Sequence, residues 1–234
     1  MHDAERPTLK LSPGGIATLA MAWTFAGAVA GAILVAWVVQ DIEVGMLTRD
    51  PADSVKGPTY LGAVSSLGFA VWASAAAVCL LAGLVVRRRQ GDARLAAFMF
   101  SAGILSTLLL VDDMWLLHDR VFPGNLGIPE ALVYAFYGLF GITHLIVFRR
   151  EILRTDFVLL LLAGLLLFGA IVIDTLTNNT AASSSKYFTE DIPKFFGRVT
   201  WLAYHVRTAL VLSADDLESK PAPESEPVAS AASP

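Results

Sequence analysis

Four ionisable side chains fall within eight residues of one apolar run: Asp112, Asp113, His118 and Asp119 in LLLVDDMWLLHDR. Ionisable groups at membrane depth are costly, so they pair with one another, line a wet cavity or carry chemistry. Carboxylates with one imidazole suit a hard or borderline divalent cation such as Mg, Mn, Fe or Zn. On a continuous α-helix Asp112 and Asp119, seven residues apart, fall within about 20° of each other, and Asp113 lines up with Ser106. Regular rise then puts Asp112 about 10 Å below Asp119, too deep for an interfacial cap.

Later segments add polar groups at the same end. In PEALVYAFYGLFGITH, Glu130, Tyr134, Tyr137, Gly141 and His144 share one helix face. Pro129 suits a first helical turn, and capping alone accounts for Glu130 there. The tyrosines have an ordinary packing reading, and His144 a helix-pairing one. Asp174 stands alone near the end of AIVIDTLTNN. In TEDIPKFFGRVTWLAYHVRTAL, Glu190, Lys194, Gly197, Trp201, Tyr204 and Thr208 form one stripe, and Asp191, Arg198 and His205 a neighbouring one. Lys194 has Glu190 as an i,i+4 partner. Arg198 needs an acid or a carbonyl, with Asp113 or Asp174 as candidates. Together these residues predict a polar chamber opening at one end of the bundle.

The elements that must position them are membrane helices. Of 234 residues, 55% are hydrophobic and only 16% charged, and the mean hydropathy is +0.61. That is a multipass membrane composition. Six apolar runs, at about 15–40, 60–86, 95–117, 129–148, 156–176 and 192–213, approach or exceed the ~20 residues that cross a bilayer. The fold expected is all-α, a polytopic bundle of about six transmembrane helices spanning 15–213. Residues 1–14 form a cytoplasmic segment. Residues 214–234, rich in Pro, Ala, Ser and Glu, form a disordered cytoplasmic tail.

Lys and Arg set the orientation: eleven lie on one side and five on the other, with Arg198 set aside as intramembrane. Both termini are expected in the cytoplasm of a cell with a plasma (inner) membrane. No cleavable signal peptide is evident. The net charge of −4 does not suggest nucleic acid. Cys79 is a lone, apolar-run cysteine with no C-x-x-C chemistry. Gly27-x-x-x-Gly31 predicts close helix packing.

The order VDDMWLLHD, GIPE, IVIDTL, EDIPKFFG and WLAY resembles a family of bacterial multipass membrane proteins with the pattern D-D…H-E, P-E, a lone D and E-D-x-x-K-x-x-G. The likeness covers about 95–210, and Asp119 stands where that pattern has Glu. The family has no established activity. The resemblance implies a shared polar site at Asp112, Asp113, His118, Glu130, Asp174, Glu190 and Lys194. A weaker analogy runs to transmembrane hydrolases related to alkaline ceramidases, through Ser106, Asp113 and His118. Their H-x-x-x-H pair and seventh helix are missing here.

Three functional classes follow. In a metal-dependent hydrolase acting on a lipid-like substrate, Asp112, Asp113, His118 and Asp174 hold a divalent metal ion. Glu130 or Glu190 is then the general base, and Lys194 or Arg198 holds a developing anion. In a proton- or ion-coupled transporter the same groups line a pathway. In a structural or partner-binding subunit they are interhelical ion pairs, with a membrane-protein partner or a second copy alongside the lipid. Haem or quinone roles, through His144 and His205, complete the range.

Overall fold

The computed structural model describes the backbone of residues 13–49, 51–177 and 184–218. Every element among these residues is helical. The chain divides into two units, residues 1–63 and 64–234.

In the first unit, α1 (Pro13–Gln40) is followed by two short helices, α2 (Val44–Thr48) and α3 (Pro51–Ser54). Asp41 takes a positive φ of 56° where α1 ends, so the chain turns sharply there. Among the described residues, nothing within 4 Å would meet a Cβ at Gly27 or Gly31.

The second unit holds α4 (Ala63–Arg89), α5 (Ala93–Trp115), α6 (Glu130–Val147), α7 (Arg149–Ile152), α8 (Phe157–Thr177) and α9 (Ser184–Glu218). Gly91, with φ of 70°, and Asp92 make the reversal between α4 and α5. The Asp92 carboxylate caps α5 by accepting the Arg94 and Leu95 amides, each at 2.9 Å. Gly83 and Gly103 then let the two helices close up: a Cβ at either would lie under 3.0 Å from Phe100 or Leu80. The core is Trp72, Ala75 and Cys79 of α4 against Phe98, Met99, Ala102 and Leu105 of α5, with Phe148, Leu160, Ala163, Trp201 and Tyr204 from the later helices. Gly197 does for α8 and α9 what Gly103 does for α4 and α5, with Leu167 at 2.8 Å from its Cβ position.

Among the described residues, four helices, α4, α5, α6 and α8, are long and apolar enough to cross a membrane. Their outward residues, among them Leu139, Ile146, Leu161 and Phe168, are large and exposed, as a lipid-facing surface requires. Of the six expected spans, these four meet that measure among the described residues. The apolar stretch of α1 among residues with described side chains is short, Ala26–Gln40. In α9 the charges Asp191, Lys194 and Arg198 lower the hydropathy of a 35-residue helix. That helix also runs to Glu218, past the expected boundary at 213. The expected N-terminal segment up to residue 12 and the tail from 219 lie outside the described residues.

Candidate functional site: a charged centre at one end of the helices

The continuous α-helix assumed for LLLVDDMWLLHDR does not form. α5 stops at Trp115, Leu116 takes a left-handed conformation (φ 52°, ψ 44°), and residues Leu117–Asn125 coil as a π-helix. A leucine in that region is uncommon and strained. What the turn achieves is visible at Asp112. His118 folds back onto it, its amide donating to Oδ1 at 3.0 Å and its Nδ1 meeting Oδ2 at 2.5 Å. Asp112 is thereby satisfied although it is only 4% exposed. Asp119, expected on the same face as Asp112, is instead exposed beside Arg120 at 3.8 Å. The seven-residue spacing failed because it presumed 3.6 residues per turn through a segment that has another geometry.

His118 lies beyond the end of α5, and two opposing effects act on its imidazole. Desolvation is the largest single one and lowers its pKa. The hydrogen bond and charge of Asp112 together outweigh it and hold the pKa above the ordinary 6.5, with Lys194 opposing and Asp113 assisting. The His118 ring also lies 5.2 Å from that of Tyr134. Tyr137 lies within electrostatic range of Asp112, and Tyr134 within that of Glu130 and Asp174. The two tyrosines of the α6 stripe are thus near the acids, whereas His144 lies elsewhere, on Ser101 and Phe98.

Asp113, one residue on, is engaged quite differently. Arg198 donates to its Oδ2 at 2.5 Å, and the Lys194 ammonium lies 3.2 Å from its Oδ1. The Trp72 indole N–H donates to Oδ2 at 2.9 Å. One carboxylate on α5 therefore joins α4 and α9 through three donors. The Arg198 side chain is 7% exposed and Lys194 37%, so one partner is buried and the other reaches the surface. Asp191 lies within electrostatic range of Arg198 and adds negative charge to the group.

Trp72 belongs to a helix to which sequence reasoning assigned little. The signal available was the indole itself, whose N–H needs an acceptor when buried. Gly68, one turn earlier, is equally bound up with the centre: a Cβ there would stand 2.0 Å from Arg198 Nη1. The guanidinium occupies the space that glycine leaves open.

Below this layer the polar groups thin out. Trp201 donates to Ser106 Oγ at 2.9 Å, and His205 Nδ1 meets the Trp201 carbonyl at 2.8 Å. His144 Nδ1 meets Ser101 Oγ at 2.6 Å. Phe98 stacks on the His144 ring at 5.4 Å, while Trp201 and Tyr204 lie against His205 at 4.6 and 4.8 Å.

The four residues expected to bind a metal do not gather around a common point. Among the described residues, no three His, Cys, Asp or Glu side chains are grouped so as to hold a metal ion. Asp112 and His118 bind each other, and Asp113 is occupied by cations. Of the expected catalytic set, Lys194 and Arg198 are brought onto Asp113, Glu130 sits with Tyr134, and Glu190 takes part in an interaction of its own.

No curated protein and no solved structure matches the chain. The comparisons therefore lend nothing to the ceramidase analogy. A family model does match, over residues 18–208, and that stretch includes the whole charged centre. The chain belongs to the family described as a domain of unknown function, DUF8692.

Proposed function

We propose that this chain is a bilayer-embedded structural or partner-binding subunit whose charged centre is an interhelical ion lock. The observation that carries the reading is Asp113, which collects Arg198, Lys194 and Trp72 from two other helices. A carboxylate used this way has little lone-pair capacity left for a metal. Removing one partner of a buried pair leaves an uncompensated charge, which costs about 3–5 kcal/mol. The lock thus keeps α4, α5 and α9 in one register.

In this reading α1 and α9 join the four apolar helices as spans, completing a six-helix domain over 15–213. Both termini lie in the cytoplasm and the charged centre at the outer face of an inner membrane. Glu130, Asp174 and Glu190 serve as flanking charges, not as bases.

The test is a double-mutant cycle in detergent, read by thermal unfolding. Asp113→Asn is expected to destabilise strongly, and Arg198→Met in the same chain to restore part of the loss. Metal analysis of the purified protein runs beside it. Stoichiometric divalent metal that disappears in Asp112→Asn, with the bundle intact, overturns the lock and returns the hydrolase.

A second reading, a proton-coupled carrier, is favoured by one observation. The Asp112 carboxylate and the His118 imidazole meet at 2.5 Å where α5 ends, with Tyr137 in electrostatic range. Proton uptake by vesicles containing the protein, lost in His118→Gln, distinguishes it from the lock.

A further inference from the structure

A groove of about 360 Å³ runs along α6 on the surface away from the charged centre. Its walls include Ser101 of α5 and Phe136, Leu139, Thr143, His144 and Val147 of α6. From Phe136 to Val147 it extends about 16 Å at 1.5 Å per residue. That is about half of a hydrocarbon core roughly 30 Å thick, so the groove has the reach of one acyl chain in one leaflet. The surface it presents is nearly all apolar, and α6 exposes Leu139, Ile142 and Ile146 around it, which fits lipid better than water.

Past Val147 the chemistry changes abruptly. Phe148, the last wall residue, is followed directly by Arg149 and Arg150, both exposed. Arg94 of α5 is fixed at the same end, donating to the Val147 carbonyl at 2.6 Å and to Glu151 at 2.5 Å. Glu151 offsets one of these cations and leaves Arg149 and Arg150 in surplus. Three wall residues are polar, Ser101, Thr143 and His144; His144 is 3% exposed, and its Nε2 is buried without a hydrogen-bond partner. A chain-length apolar trough that ends at a cationic rim complements an amphiphile with an acyl tail and an anionic head.

We infer that this groove is a binding site for an anionic phospholipid, with one acyl chain along α6 between Phe136 and Val147 and the phosphate at Arg149 and Arg150. The inference does not rest on the ion lock, which lies at the other end of α6. Arginines near a membrane surface attract anionic lipid strongly enough that each contributes about fivefold in affinity. Guanidinium also forms paired hydrogen bonds to phosphate that ammonium does not.

The probes are phosphatidylglycerol and phosphatidylcholine with identical acyl chains, offered to the purified full chain and read as retained lipid by native mass spectrometry. The wild type is expected to retain phosphatidylglycerol preferentially. Arg149→Gln with Arg150→Gln should lower its retention about 25-fold and leave phosphatidylcholine unchanged. Thr143→Trp, which fills the groove, should lower retention of both lipids. The helical circular dichroism and the thermal transition of each variant are measured alongside, and Leu161→Trp, on the exposed face of α8, serves as a folded control that should bind as the wild type does. Equal retention of the two lipids by the wild type overturns the headgroup assignment. Retention unaffected by Thr143→Trp, in a chain with wild-type melting, overturns the groove. A dimer that forms through α6 and excludes both lipids overturns the proposal in favour of a second copy.

Discussion

At the scale of single residues, adjacent carboxylates have divided their work. Asp112 holds a local turn by binding His118, six residues on, whereas Asp113 holds distant helices together. The first arrangement leads to a pH dependence. Because the His118 pKa is raised in the folded chain, its contribution to stability is fully present below the unfolded value of about 6.5 and is lost as pH rises through the raised value. NMR of labelled histidine should show a midpoint above 6.5 in the wild type. In Asp112→Asn it should fall, since desolvation and Lys194 are then opposed only by the charge of Asp113. The second arrangement makes glycine essential at 68. Gly68→Ala should displace the Arg198 guanidinium and cost about 1–3 kcal/mol in thermal or denaturant unfolding. The same substitution in Arg198→Met should cost much less, since the group it displaces is gone. Equal losses in both backgrounds would mean that the alanine clashes with something other than Arg198.

At the scale of elements, the break after α5 matters most. A regular helix would have carried His118 around the axis and away from Asp112. The left-handed Leu116 and the π-coil after it bring the imidazole back. At the opposite end of the same helix, Asp92 caps the first turn and Arg94 joins α5 to Glu151 of α7. The hydrogen bond from Arg94, with its charge, lowers the Glu151 pKa despite a smaller opposing effect of desolvation. A depressed carboxylate contributes stability that is present above its unfolded pKa, about 4.3, and is lost as pH falls through the folded value. The wild type should therefore exceed Glu151→Gln slightly in melting temperature at pH 7, and the difference should vanish in strong acid. Both groups lie at the surface, so salt should diminish it as well.

At the scale of the whole molecule, the main cluster of exposed arginines and the charged centre occupy opposite ends of the helices of the second unit. Arg87, Arg88, Arg89, Arg149, Arg150 and Arg154 lie where α4 ends and α6 gives way to α8, while Asp112, Asp113, His118 and Glu130 lie where α5 ends and α6 begins. Under the orientation proposed, an impermeant thiol reagent added to intact cells should label Gly124→Cys and leave Arg88→Cys unlabelled. The reverse pattern would invert the topology. The buried Cys79 should stay silent in both.

How much of this was legible in the sequence depended on the range of the physics involved. Apolar length alone determined where the long helices run, because a chain in lipid must satisfy its backbone within each helix. The expected runs and the observed helices agree within a few residues apart from α9, which starts and ends beyond its apolar part. Arg198 had to find an acid for the same local reason: a buried guanidinium cannot stay unpaired. Which acid it found, and that Lys194 would reach Asp113 as well, depended on how α5 and α9 face one another. Trp72 and Gly68 were illegible because an indole and a glycine in an apolar run look like packing until the partner helix is in place. The turn at Leu116 was hidden as well, since the leucine's own preference opposes it. Only the tertiary bonds of Asp112 and His118 make that backbone worth holding.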